Sequence, residues 1–279
     1  MPELPEVETV VRGLRNSGLC GCVITSAQIN WTRTIHQTSA TAFKRKVQGR
    51  MINGVDRRGK YIVVALENET RLFIHLRMTG KLLFQPADFQ AGRHDHVILT
   101  LNDERKLVFN DTRKFGRITL IESGASPIDK LGPEPLDRSF SAATFRAALK
   151  SKTRRLKPLL LDQNFLAGLG NIYVDEALWE ARLHPEQQAN TLTDNQCEAL
   201  YQAIRTVLKK GIKNCGTTLG NSSSNFYSVG GRRGRNADQL NVFRRTGEPC
   251  PTCGTTIQRI IVGQRSTHLC PRCQEGKHL

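Results

Sequence analysis

The strongest constraint on this chain is a pattern of four cysteines near its C-terminus. Cys250 and Cys253 form one C-x-x-C pair, Cys270 and Cys273 a second, and sixteen residues separate the pairs. Two thiolate pairs on tight turns, joined by a hairpin of that length, can surround one zinc ion tetrahedrally. Pro249-Cys-Pro-Thr-Cys-Gly254 and Cys270-Pro-Arg-Cys273 supply the glycine and proline that such turns need. Four protein thiolates leave no open coordination position, so the expected cofactor is one structural Zn2+ that takes no part in chemistry. A pair of disulfides is the competing reading, and a reducing compartment disfavours it. His268 is an alternative ligand that two intact Cys pairs make unnecessary, and Cys20, Cys22, Cys197 and Cys215 follow no such spacing.

Charge narrows the partner. The chain of 279 residues carries 41 Lys and Arg against 25 Asp and Glu, a formal net charge of +16. Residues 205–279 hold 13 Lys or Arg and only Asp238, Glu248 and Glu275 as acids, a net +10 in the last quarter. Such a concentration points to phosphate, the alternative being a solvated basic surface. No window offers the roughly 18 unbroken apolar residues of a membrane span. The start, Met1-Pro-Glu-Leu-Pro-Glu-Val-Glu8, is acidic where a targeting peptide is basic. The composition therefore predicts a cytosolic, folded nucleic-acid binder with no membrane partner, of about two domains at roughly 150 residues each.

Periodicity divides the chain. Val7, Val10, Val11 and Leu14 fall at helical spacing, with Pro5 in the first turn and Glu6 and Glu8 at the positive dipole end, predicting a helix from Pro5 to about Ser17. From Val23 to Glu122 the pattern is short β runs: Tyr61–Leu66, Leu72–Leu76, His96–Leu101 and Ile118–Ile121, separated by turn segments. Gly124 to Leu136 reads as a linker. Helical patterns follow at about 141–150, 154–162, 172–182 and 194–212, with Ser141 and Thr193 as caps. Residues 216–241 show no period, and a loop of that length in a compact domain is commonly functional. The expected fold is α+β. Residues 1–123 form a β-sandwich domain with a leading helix and 124–136 the linker. Residues 137–240 form a helical domain ending in the loop of about 216–240, and 241–279 the zinc-ribbon-like β-hairpin.

Eight motifs in order carry a family resemblance. They are Pro2-Glu-Leu-Pro-Glu-Val-Glu-Thr9, Arg57-Arg-Gly-Lys-Tyr61, His75-Leu-Arg-Met-Thr-Gly80, Asp111-Thr-Arg-Lys-Phe-Gly116, Leu131-Gly-Pro-Glu-Pro-Leu136 with Lys157-Pro-Leu-Leu-Leu-Asp-Gln163, Gly168-Leu-Gly-Asn-Ile-Tyr173, and Gly263-Gln-Arg-Ser-Thr267. Together they span nearly the whole chain, which resembles the formamidopyrimidine-DNA glycosylases, bacterial repair enzymes for oxidised purines. The resemblance implies a monomer acting on damaged double-stranded DNA in the bacterial cytoplasm, and a helix–two-turn–helix element around Gly168–Asn171.

It also gives the acidic start a chemical meaning. Once Met1 is removed, Pro2 carries a secondary amine able to form an iminium with a sugar carbon. A glycosidic bond breaks through an oxocarbenium-like state, so attack at C1′ and protonation nearby cooperate. Glu3 matches the family acid that protonates the opening deoxyribose. By resemblance Lys60 assists the first elimination and Arg265 the second, both also holding phosphate, while Glu6 is positional.

Reaching a base inside a duplex means extruding it and filling the hole. Met78 and Phe115 lie at the family's wedge positions and Arg113 at the one that reads the opposite base. Alone they would read as core, but their polar and small neighbours suit loop tips. His94, Lys157 and Asn171 match DNA-contacting positions, as does His75, which reads equally well as a hydrogen-bonded core histidine. The pyrimidine-directed endonuclease VIII branch shares Pro2, Glu3 and the hairpin; the joint presence of Arg113 and Phe115 favours the purine branch. The polar, basic stretches Asn221-Ser-Ser-Ser-Asn225 and Gly230-Gly-Arg-Arg-Gly-Arg235 depart from the family pattern in the lesion-capping loop. Phe226 and Tyr227 there would stack over a pocket or simply anchor the loop. A non-catalytic zinc-ribbon DNA binder on the same scaffold is the rival reading.

Overall fold

The computed structural model describes residues 1–220 and 226–275, so Asn221-Ser-Ser-Ser-Asn225 of the expected capping loop lies outside the described residues. The chain forms two compact units. One comprises residues 1–130 with the described part of 214–237, the other 131–213 and the described residues from 238 onward. The boundary at 130 falls inside the expected linker. The loop expected to close the helical domain instead belongs, up to residue 237, to the first unit.

In that first unit, α1 (Leu4–Asn16) buries Val7, Val10, Val11 and Leu14, the stripe that the periodicity predicts. Strand β1 (Ile24–Ile29) and the short β2 (Ile35–His36) follow, and then α2 (Ala40–Val47), a helix inside a region expected to be all strand. Ser39 caps it by accepting from the Ala42 N–H at 3.1 Å, and Phe43 and Val47, one turn apart, are buried. Seven strands complete the unit: β3 (Ile52–Arg58), β4 (Tyr61–Leu66), β5 (Arg71–His75), β6 (Gly80–Gln85), β7 (Asp95–Leu101), β8 (Lys106–Asp111) and β9 (Arg117–Ile121). They form two sheets, β1-β7-β8-β6 and β2-β9-β5-β4-β3, antiparallel except for the β2–β9 pair. Alternate side chains of β4, Ile62, Val64 and Leu66, point inward as a period of two requires. Leu82, Val97, Leu107 and Phe109 from the four-stranded sheet meet Leu72, Ile74, Ile118 and Phe43 in one apolar core. The β-sandwich with its leading helix is therefore as expected.

Long-range contacts explain why 214–237 joins this unit. Val229 is buried in the sandwich core, 3.3 Å from where a Cβ on Gly13 would stand, and Phe226 packs against the same cluster. Tyr227 lies under the Lys81 ammonium at 4.7 Å. Both aromatics thus anchor the loop. Arg233 donates to the Gly220 carbonyl at 2.8 Å, and Gly234 N–H to Thr218 Oγ1 at 2.8 Å, tying the described stem together.

The second unit holds α3 (Ala142–Lys150), α4 (Leu156–Leu160), α5 (Asn171–Glu180), α6 (Asp194–Lys213) and the hairpin β10 (Gln258–Val262) and β11 (Arg265–Leu269). Ser141 caps α3, and Thr193 and Gln196 cap α6 reciprocally at 2.9 and 3.2 Å. Gly211 lets α6 approach α5: a Cβ there would stand 2.6 Å from the Tyr173 ring. Helix α5 carries two buried carboxylates that dock the chain's last segment. Glu176 accepts from the backbone N–H groups of Asn241, Val242 and Phe243 at 2.8 to 2.9 Å, and Asp175 from that of His268 at 2.9 Å. No helix among the described residues is long and apolar enough to cross a membrane.

Candidate active site

The head of α1 is built to hold its first residues still. Pro2 is buried, Met1 remains 46% exposed, and Glu3 is only 3% exposed. Glu6, itself buried, accepts the Glu3 N–H on Oε2 at 2.8 Å and the Thr217 N–H on Oε1 at 2.7 Å. One carboxylate thus holds both Glu3 and the base of the 214–237 segment. Its positional reading fits this geometry. Lys60 sits in the two-residue turn between β3 and β4, after Gly59 at φ +56°, and is buried.

His75 does not face outward as a DNA contact would. It is 8% exposed, its Nδ1 accepts the Arg77 N–H at 3.0 Å, and its ring meets Tyr61 edge-on at 4.7 Å. Burial, with the charges of Arg77 and Lys60 adding, pushes its pKa down to about 3, so the ring is neutral near pH 7. These contacts are those of a hydrogen-bonded, buried histidine.

Two turns project apolar side chains into solvent. Met78, between β5 and β6, is 42% exposed, and Phe115, between β8 and β9, is 47% exposed, so both stand at loop tips and not in the core. The turns are stapled together by Asp111, wholly buried. Its Oδ2 accepts the Gly116 N–H at 2.7 Å, and its Oδ1 accepts the Arg113 N–H at 3.1 Å and the Thr79 hydroxyl. Thr79 Oγ1 in turn lies 3.2 Å from the Arg113 N–H. Asp111 and Thr79 are the residues that sequence reasoning passed over. The exposed Arg113 guanidinium lies over the Phe115 ring at 4.8 Å. Close by in sequence, Arg93 donates to His94 Nε2 at 2.9 Å, which leaves the proton on Nδ1. That buried Nδ1 makes no hydrogen bond among the described residues.

In the second unit the cations separate into one outward and one inward. Residues Gly263 (φ +55°) and Gln264 (φ +62°) make the two-residue turn of the hairpin, which presents Arg265 exposed at the start of β11. The next residue anchors it: the Ser266 carbonyl accepts from Lys157 Nζ at 2.9 Å and from Asn171 Nδ2 at 3.0 Å. Lys157, expected to touch DNA, is fully buried and pairs with Asp175 at 2.5 Å, so it supports the hairpin from inside. Asp175 also accepts from His268, whose Nδ1 lies 3.1 Å from Oδ2. Asn171 opens α5 after Gly170 as expected, with its amide nitrogen committed to the hairpin and its Oδ1 buried without a partner.

The four cysteines converge. The Sγ atoms of Cys250, Cys253, Cys270 and Cys273 all lie within 4.8 Å of one another. The edge of a zinc tetrahedron with ~2.3 Å bonds is about 3.8 Å, so the cluster is of the size and composition that one structural zinc takes. Trp179 Nε1 donates to Cys250 Sγ at 3.4 Å, an outer contact of the kind that orients a ligand.

Exposed apolar side chains on stiff turns are what proteins that open a duplex to reach one base insert between base steps. The family follows from comparison. The model of the formamidopyrimidine-DNA glycosylase N-terminal domain matches residues 1–118, that of its H2TH domain 131–223, and that of the zinc finger found in FPG and IleRS 247–276. The chain belongs to the formamidopyrimidine-DNA glycosylase family. It is 47% identical over 275 residues to a formamidopyrimidine-DNA glycosylase of Protochlamydia amoebophila, covering 99% of this chain and 100% of that one. One of Herpetosiphon aurantiacus is 45% identical, covering 98% and 100%. Among solved structures, Lactococcus lactis Fpg in complex with abasic-site DNA aligns with a TM-score of 0.89 at 38% identity, covering 98% of this chain and 100% of that one. MutM in complex with carbocyclic 8-oxo-G DNA aligns at 0.90, also 38% identical, covering 99% and 100%.

Proposed function

We propose that this chain is a bifunctional DNA glycosylase and abasic-site lyase of base excision repair. It removes oxidised purines, 8-oxoguanine and formamidopyrimidines, from double-stranded DNA and cleaves the abasic site by β,δ-elimination. The observation that carries the reading is the head of α1, where Pro2 is buried beside a sheltered Glu3 whose N–H Glu6 accepts. Relatives of this length and identity bear the glycosylase name, and their complexes hold lesion or abasic DNA.

Met78 and Phe115 take the place of the extruded base, and Arg113 offers its donor fork to the orphaned cytosine. With Met1 removed, the Pro2 nitrogen attacks C1′, the C1′–base bond breaks and the base leaves carrying a proton that the amine gives up. Glu3 protonates the sugar ring oxygen as the C1′–O4′ bond opens, which leaves an iminium between C1′ and Pro2. That iminium acidifies the C2′ proton, and Lys60 and Arg265 assist the two successive losses of phosphate. Zinc, when bound, supplies no chemistry and holds the hairpin that presents Arg265. His94 and the basic surface of the second unit hold the phosphate backbone. The enzyme works as a monomer in the bacterial cytoplasm.

Borohydride reduction on duplex DNA with 8-oxoguanine opposite cytosine tests this directly. The processed protein should form a covalent adduct, and Pro2→Gly should bind DNA without forming one. Glu3→Gln should slow excision by about 10²–10⁴-fold, the usual weight of a positioned acid. Binding without any adduct in the processed wild type would leave only the non-catalytic reading. Faster excision of thymine glycol than of 8-oxoguanine would move the chain to the pyrimidine branch.

A further inference from the structure

The turn that carries Arg113 and Phe115 is fixed on its inner side by Asp111, but Lys114 at its summit faces elsewhere. Lys114 adopts φ +60°, a left-handed conformation that a lysine visits at a cost, so something must hold it there. Its ammonium stands 4.0 Å from the centre of the Trp31 ring. Arg33 lies over the same ring at 5.8 Å. The indole N–H of Trp31 is buried and makes no hydrogen bond, so the contact with Lys114 is made by the ring face alone.

Trp31 is in turn tied to the base of the same turn. The backbone N–H groups of Asn30 and Trp31 donate to the His96 carbonyl at 2.9 and 3.4 Å, and Asn30 Nδ2 to the Asp95 carbonyl at 2.8 Å. His96 Nε2 lies 2.7 Å from the Asp111 carbonyl oxygen, and the Asp111 N–H donates to the His94 carbonyl at 2.9 Å. The chain of contacts closes on itself: Asp111, turn, Lys114, Trp31, His96 and Asp111 again. Such a ring leaves the turn little freedom to tilt.

We propose that Trp31 is a positioning residue for the DNA-opening turn, holding Lys114 on its face and so fixing where Arg113 and Phe115 point. This rests on the wedge reading given above. An exposed cation–aromatic contact changes an equilibrium by about three- to fivefold. Trp31→Ala should therefore slow single-turnover excision of 8-oxoguanine opposite cytosine by about that factor. It should also narrow the preference for cytosine over adenine as the opposite base. The loss on this base-bearing substrate should exceed that on abasic DNA, where no base has to be extruded. Lys114→Ala, a change on an exposed side chain, should show the same loss, the double variant no more than either single one, and Trp31→Phe most of the wild-type rate.

Phe115→Ala separates the two ideas. Were it to excise at the wild-type rate, the wedge reading would fall and this inference with it. An impaired Phe115→Ala beside unaltered Trp31→Ala and Lys114→Ala would overturn this inference alone. So would losses that multiply in the double variant, or equal losses on lesion and abasic DNA.

Discussion

The two cations proposed for the eliminations stand on two hairpins with two-residue turns, and the hairpins are held by opposite means. Lys60 follows Gly59 in the turn between β3 and β4, buried on a sandwich with a large apolar core. Arg265 follows Gly263 and Gln264, exposed on a two-stranded ribbon whose local core is Val242, Ile257 and two of the cysteines. A hairpin on a broad sheet is secured by burial. One with so little apolar surface needs other fastening. Here that is the zinc cluster at one end and the buried set Lys157, Asp175, Asn171 and His268 at the other. Position on a polar and metal framework is exacting but vulnerable; position on a hydrophobic one is forgiving.

Removing the metal should break this contrast most widely. Structural zinc contributes apparent binding energies of about 10–16 kcal/mol, which become folding energy. A chelator or Cys270→Ser should release Arg265 and the Trp179 indole from their places while the sandwich keeps its own thermal transition. Loss of near-ultraviolet signal with most DNA affinity, alongside that retained transition, is the expected record. If both transitions vanish together, the hairpins are not independently held.

Next in size is the buried pair. Lys157→Met strands the Asp175 carboxylate and should cost the second unit about 3–5 kcal/mol in chemical denaturation. Adding Asp175→Asn removes the stranded charge and should recover part of that loss. Equal stability of the single and double variants would show that Lys157 acts as ordinary packing.

The smallest effect sharpens the other side. His75 has its pKa pushed down to about 3, against about 6.5 in the unfolded chain. Below pH 6.5 the unfolded state binds a proton that the folded state refuses, so stability falls as pH falls towards 3. This one group contributes about 1.4 kcal/mol per pH unit through that window and nothing above it. Replacing it, as in His75→Phe, should make the stability–pH slope shallower by about one proton; an unchanged slope would mean that the ring is protonated in the fold.

Much of this molecule is legible in one sequence because its signals are local. The cysteine spacing, the amphipathic stripe of α1 and the polar neighbours of Met78 and Phe115 each lie within a few residues. What escapes is set by partners far along the chain. Lys157 reads as an outward cation until Asp175 and the Ser266 carbonyl, 109 residues away, claim it. Asp111 reads as the edge of a motif, and only Thr79, brought beside it by the β6–β8 pairing, reveals it as the staple. Residues 214–237 carry no period that assigns them to the sandwich, because the bond that does so runs from Thr217 to Glu6, 211 positions earlier. Helix α2 hides in eight residues between strands, too short for periodicity to resolve.

That bond between Glu6 and Thr217 has a consequence in time. The head of α1 is bonded to a segment that leaves the ribosome only after α3 to α6 have been made. At about 5–20 residues per second, some 200 residues of further synthesis take roughly 10–40 s. Through that interval the head of α1 is fastened by Glu6 through its local bond alone, and the second bond to that carboxylate is added only when Thr217 emerges.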